Sequence, residues 1–341
     1  TKKERIQTIL QHKKPDRLPA QSNFTASMRK TIADHLGISP DDVDKRFDNH
    51  LLRVDLSHTK ELSSDGSTAY DWWGAGFDTS EEGYLISDYP LAEKADLAAF
   101  SRPDPDAPGL LHDAGELIRA ENNQEDPRFI IPNFGFALFE RAWSLRGMEQ
   151  FMMDMVLEPA WTEELLEGIT KIQVALARRY VDLGVDGGYF GDDLGAQRGL
   201  LFSPDTWRKM FKPRLKRMFD VFTGAGLPVI MHSDGDIKEI IPDLIEIGLS
   251  CLNPCQPEVL DHAWLKREFG GDLAFYGGIS TQEVLPNAGP DEVDEAAHRC
   301  IDELAADGTG LIFGPSHRMM SDIPMQNIDA LLKSLAYCRL S

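Results

Sequence analysis

Apolar and polar positions change rhythm most clearly between residues 228 and 260, PVIMHSDGDIKEIIPDLIEIGLSCLNPCQPEVL. The run VIM reads as a buried strand. Ile237, Ile240, Ile241, Leu244 and Ile245 recur at the spacing of one helical face, and LSCLN reads as a second strand. Strand, helix and strand in that order form a βαβ unit, whose two strands run parallel. The alternation continues to both sides. Strand-like apolar runs lie at 128–134, 187–190, 273–276 and 311–313, with helical patterns at 139–155, 160–183 and 291–306 and a basic helix opened by Ser203-Pro204-Asp205. Gly184 suits the left-handed cap of the helix before it. Such alternation predicts a parallel α/β fold. Weaker strand patterns at 17–24 and 51–58 bring the count to about eight, the number a closed barrel needs. An open doubly wound sheet is the alternative, but no strand is followed by the glycine fingerprint that seats a dinucleotide. The expected architecture is α/β, a (β/α)8 TIM barrel with an N-terminal helical extension. It forms a single domain over 1–341, with the extension and an insertion inside 1–110.

Three stretches depart from this rhythm. YDWWGAGF, 70–77, mixes aromatics with glycines and reads as a loop anchored on the core in preference to a substrate-stacking surface. DLAAFSRPDPDAP, 96–108, reads as an exposed linker. The helix at 139–155 reads as core packing with Arg141 and Arg146 solvated, or else as a cofactor lid.

Composition narrows the function classes. Thirty-five Lys and Arg against 56 Asp and Glu give a net charge of -21, which repels nucleic acid and anionic membranes. The first 20 residues contain no apolar core of signal-peptide length, and no run approaches a membrane span. Cys251, Cys255, Cys300 and Cys338 have no disulfide-framework spacing, which points to a reducing, cytoplasmic setting.

The carboxyl ends of barrel strands share one mouth, and four of them carry chemistry: Asp192 and Asp193, His232 and Asp234, Cys255 and Gln256, His317 and Arg318. Catalytic zinc takes three protein ligands and keeps one position open. His232, Cys255 and His317 supply that set, with Asp234 as a substitute or as a partner behind them. The bland reading of Cys255 is a small apolar residue. Asp192 and Asp193 point to opposite sides if the strand continues, so one enters the mouth and the other braces the loop. Gln197 and Gln282 are weaker polar candidates.

These residues also carry a family resemblance. FGDDLGAQRGLLFSPDTWRKMFKPRLKRMF, HSDGDIKEIIPDLIEIGLSCLNPCQPE, AFYGGISTQEVLP, GLIFGPSH and DIPMQNIDALL resemble the uroporphyrinogen decarboxylase superfamily, which includes corrinoid-dependent methyltransferases. The resemblance implies a distorted TIM barrel with its site at the strand carboxyl ends. The true decarboxylases grip substrate carboxylates with an RQAGR-like motif, where this chain has QSNFTASMRK and only Arg29. Their FSDI-like aspartate has no counterpart around DDVDKRFDNHLLRVD, and their tyrosine aligns with Trp143, whereas His317 matches their histidine. The zinc methyltransferases show a His-x-Cys pair where this chain has His232-Ser233-Asp234, and a later cysteine close to His317.

The resemblance implies a metal-dependent methyltransferase that moves a methyl group from a small substrate to a corrinoid protein, with zinc as cofactor. His232, Asp234, Cys255 and His317 would hold the metal, Asp192 and His317 would be catalytic, and Asp193, Gln197, Trp143, Gln282 and Arg318 would face the substrate. A homodimer is the candidate assembly. The second reading is a decarboxylase of a tetrapyrrole or smaller acid with Asp192 or His317 as proton donor. The third is a tetrapyrrole-binding barrel without turnover.

Overall fold

The computed structural model describes residues 1–58, 60–80, 82, 85–93 and 96–339. At its centre run parallel strands β1 (Leu51–Val54), β2 (Phe129–Pro132), β3 (Gly188–Gly191), β4 (Val229–His232), β5 (Cys251–Asn253), β6 (Ala274–Ile279) and β7 (Leu311–Pro315). Strands β3 to β7 lie side by side in chain order. Strand β1 pairs with β2, Leu51 opposite Phe129. Isolated parallel bridges complete the circuit: Phe134, just past β2, joins Phe190 of β3, while Ala20 joins both Asn49 and Phe313. The expected first strand at 17–24 is therefore reduced to single bridges at Ala20 and Phe24. Pro19 accepts from the Phe313 amide at 2.9 Å but has no N–H with which to extend a ladder.

The strands are apolar because both faces are covered. Every residue of β2, β3, β6 and β7 is buried. The helix Pro159–Leu183 buries one stripe, Leu165, Leu166, Ile169, Ile172 and Leu176, and ends at Gly184 with a left-handed φ of 86°. Helix Lys212–Thr223 brings Phe219 and Phe222 to Phe190, at ring separations of 5.2 and 5.7 Å. Each ring removed from water contributes about 1.5–3 kcal/mol. No helix among the described residues is long and apolar enough to cross a membrane.

Between β1 and the helix His112–Asn122 sits a four-stranded antiparallel sheet of Glu61–Leu62, Thr68–Tyr70, Gly76–Asp78 and Ile86–Asp88. The stretch expected as a loop at 70–77 is its central hairpin, with Tyr70 opposite Gly76. Asp71 closes the turn: its Oδ1 accepts the amides of Trp73 and Ala75 at 2.9 and 3.0 Å. The expected exposed linker at 96–108 is irregular, yet it buries Leu97 and gives the Pro105 carbonyl to Arg179.

Arg141 and Arg146, expected to be solvated, are both buried. Each has found a carboxylate: Arg141 Nη1 donates to Asp71 at 2.6 Å and Arg146 Nε to Asp154 at 2.6 Å. A sequence pattern shows an arginine on a helix but not the distant acid that neutralises it.

Candidate active site

The carboxyl ends of the strands open into a cavity of about 1020 Å³. Its roof is the hairpin of the inserted sheet, contributing Trp72 and Trp73, with Phe136 ahead of the helix Phe139–Arg146 and Trp143 within it. Its floor carries Arg53, Tyr189, Asp193, His232, Asn253 and His317.

Strand β4 delivers His232 half-buried at its tip, after three fully buried residues. The chain then turns sharply. A Cβ on Gly235, whose φ is 83°, would sit 2.4 Å from the Gly195 backbone, and Asp236 donates to the Ala196 carbonyl at 2.8 Å. The loops after β3 and β4 are thus locked together, reinforced by Asp193 Oδ1, which accepts the Asp234 amide at 2.9 Å. Strand β7 delivers His317 two residues past its end, and the His232 and His317 rings lie 5.5 Å apart. His232 Nε2 is 3.7 Å from Asp234 Oδ1, and His317 Nε2 is 4.0 Å from Asp234 Oδ2. Ligand atoms of His232, Asp234 and His317 all fall within 4.8 Å of one another.

The tautomer of His232 follows from a neighbour. Asn253 Nδ2 donates to the Tyr276 carbonyl at 2.9 Å, which turns its Oδ1 toward His232 Nδ1 at 2.7 Å. An amide oxygen only accepts, so Nδ1 carries the proton and a neutral ring points the Nε2 lone pair into the cluster. Tyr189 adds its hydroxyl to the same oxygen at 3.3 Å. Burial, with His232 and Arg318 close by, pushes His317 down to about 4, which keeps it neutral. Two imidazoles and a carboxyl group form a donor set suited to zinc.

The acidic side of the cavity is unusual. Burial, with Asp193 and Asp192 nearby, raises the Glu140 carboxyl well above the ordinary carboxylate range. Burial also raises Asp193, against the attraction of His232. Glu140 therefore holds its proton more tightly than an ordinary carboxyl group and faces the same space as the two histidines.

Several expected residues lie elsewhere. Cys255 is fully buried and stands apart from the His232, Asp234 and His317 group. Strand β5 ends at Asn253, and Cys255 takes a left-handed φ of 53°, so the thiol turns inward to the Leu252 carbonyl at 3.3 Å. Burial pushes that thiol up to about 12. Asp192 and Asp193 do diverge: Asp193 lines the cavity, whereas Asp192, expected to be catalytic, is fully buried. Asp192 accepts the amides of Phe139 and Glu140 at 3.0 and 2.7 Å, so it holds the start of helix Phe139–Arg146, and burial raises it to about 7. Gln197 and Gln282 are exposed and outside the cavity lining, Gln282 accepting from Gln256 at 3.3 Å. Trp143 and Arg318 do line the cavity. The sequence reading passed over Asn253 and Glu140. A polar residue ending an otherwise apolar strand was the available signal for the first, and nothing local marks the second.

The family model for uroporphyrinogen decarboxylase (URO-D) matches residues 61–336. The chain belongs to the uroporphyrinogen decarboxylase family. Two curated members are similar in sequence. Methylated-thiol--coenzyme M methyltransferase of Methanosarcina mazei is 22% identical over 199 residues, which is 58% of this chain and 50% of that enzyme. Uroporphyrinogen decarboxylase of Nocardia farcinica is 26% identical over 257 residues, 72% of this chain and 68% of that one. The match thus spans only half the length of the methanogen enzyme. Among solved structures, a methyltransferase from Methanosarcina mazei superposes with a TM-score of 0.74 at 18% identity, covering 99% of this chain and 98% of the other. That superposition shows a shared fold, and the chemistry must be argued from the residues.

Proposed function

We propose that this chain is a zinc-dependent methyltransferase that removes a methyl group from a small methylated substrate and passes it to a corrinoid protein. The observation that carries the reading is the meeting of His232, Asp234 and His317 at the barrel mouth, with the His232 tautomer set by Asn253. These three side chains would hold the metal, with Asn253 orienting its first ligand. Bound there, zinc supplies Lewis acidity toward the heteroatom that carries the methyl group. Trp143 and Arg318 bound the space in which the substrate body lies, and Asp193 faces the cluster from the neighbouring strand. The methyl group leaves without its bonding electron pair, which stays on the heteroatom. Glu140, whose burial beside Asp193 and Asp192 strengthens its hold on a proton, supplies a proton to that heteroatom. The sequence relationship to a methylated-thiol methyltransferase supports the same direction.

Decarboxylation of a tetrapyrrole fits the cavity less well. Arg29, the remnant of the arginine clamp, is engaged with Asp44 at 2.8 Å, which leaves that motif no free arginine to grip a polycarboxylate.

The test is metal analysis of protein purified without chelator, combined with methyl transfer to cob(I)alamin from methoxylated, methylthiolated and methylaminated substrates. One zinc per chain is expected, lost in His232→Ala and His317→Ala together with transfer. Wild-type protein that neither retains nor takes up zinc removes the mechanism.

A further inference from the structure

We propose that Arg53 is the anchor for an anionic group, a carboxylate, at the end of the substrate remote from its methyl group, so that the substrate class is a small methylated carboxylic acid. This deepens the methyltransferase reading and rests on it for the identity of the reacting end.

Arg53 lies in the carboxyl-terminal half of β1 and lines the cavity together with Asp55, two residues on and on the same side of the strand. Two other arginines of the cavity lining are already committed: Arg29 to Asp44 at 2.8 Å and Arg141 to Asp71 at 2.6 Å. Among the described residues no carboxylate lies within ion-pair distance of Arg53; it hydrogen-bonds the Tyr276 hydroxyl, and its other neighbours are Tyr189 and, farther off, Asp55. Asp55 is itself occupied, accepting from Asn133 Nδ2 at 2.8 Å. The Arg53 Nε is sealed from solvent and has no hydrogen-bond partner. A guanidinium removed from water without a counter-charge is costly, and a ligand carboxylate would offset that cost with two parallel hydrogen bonds.

The placement is also rigid. The Arg53 guanidinium stacks on the Tyr189 ring with Cζ 4.0 Å from its centre, and the hydroxyl of that ring bonds to Asn253, which sets His232. One continuous set of contacts therefore fixes the distance between the anion-binding fork and the proposed metal ligands. A planar guanidinium so held selects a carboxylate by shape as well as charge. A single such fork suits one carboxylate, not the many of a porphyrinogen.

The probes are 4-methoxybenzoate and its uncharged counterpart 4-methoxybenzamide, titrated calorimetrically into the full chain, with zinc content measured on the same samples. Wild type is expected to bind the acid roughly tenfold to a hundredfold more tightly than the amide. Arg53→Met should lose that preference while keeping its zinc and its affinity for the amide. Arg53→Lys, which keeps the charge without the fork, should retain a part of the preference. Equal binding of acid and amide by wild type, no binding of either, or a preference that survives in Arg53→Met overturns the proposal. Failure of the two readings is distinguishable. Zinc-loaded protein without the preference sinks the anchor alone, whereas zinc-free protein with the preference sinks the methyl-transfer reading and leaves the anchor standing.

Discussion

Asn253 is a neutral side chain, yet it decides which nitrogen of His232 faces the cavity. Its amide is held at one end by the Tyr276 carbonyl and spends its oxygen on His232 Nδ1. Asn253→Ala removes that acceptor and lets the ring rotate or change tautomer. Zinc affinity, measured by chelator competition, should fall roughly tenfold to a hundredfold without loss of the fold. Cys255→Ala provides the contrast. Its thiol faces the Leu252 carbonyl inside the core, so zinc content and affinity should match wild type. A variant that loses zinc would return Cys255 to the ligand set. At this scale the sequence showed His232, Asp234 and His317 plainly, since each is polar and follows an apolar run. It did not show that Cys255 and Asp192 are buried away from the cavity, because both placements turn on where a strand stops. One residue of difference there reverses the side to which every following group points.

Helices Phe139–Arg146 and Met148–Leu157 are joined by a buried polar network. Arg146 donates through Nε to Asp154 at 2.6 Å and through Nη1 to the carbonyls of Leu91 and Ala92 at 2.8 and 2.6 Å. Gln150 donates to the other Asp154 oxygen at 2.8 Å. This network fastens the return from the inserted sheet to the helices that roof the cavity. Arg146→Ala leaves the Asp154 carboxylate buried without its counter-charge and should cost about 3–5 kcal/mol in urea unfolding. The double variant Arg146→Met, Asp154→Leu should cost less than Arg146→Ala alone. If the two are equally destabilised, the penalty does not come from the orphaned charge. The helices themselves were legible from periodicity, whereas their buried ion pair was not, since the two arginines look like ordinary surface residues on a helical wheel.

Closing the ring of strands brings the tips of β4 and β7 to one cavity although 85 residues of chain separate His232 from His317. The seam runs past His50. Its amide donates to the Ala20 carbonyl at 3.0 Å, its carbonyl accepts from Phe129 at 2.8 Å, and its ring is fully buried. Burial pushes His50 from 6.5 down to about 4, so the native chain keeps it neutral where the unfolded chain takes up a proton. Its contribution to stability is complete above 6.5 and is lost as pH falls from there toward 4. At about pH 5 the loss amounts to about 2 kcal/mol relative to neutral pH. His50→Gln, which does not titrate, should show a smaller drop between about pH 7.5 and about pH 5 by that amount. An unchanged drop would mean that the acid sensitivity arises elsewhere.

The alternation of apolar strands and amphipathic helices determined the parallel α/β class, most of the element boundaries and the strand tips that carry chemistry. These depend on short-range periodicity, which the chain displays openly. The tertiary structure decided which tips meet, that Asp193 and not Asp192 faces the cavity, that Cys255 turns into the core, and that Arg53 lies beside a cavity with no carboxylate in ion-pair distance among the described residues. Each of those is a relation between segments far apart in the chain, set by strand register and ring closure, and no local pattern of residues encodes it.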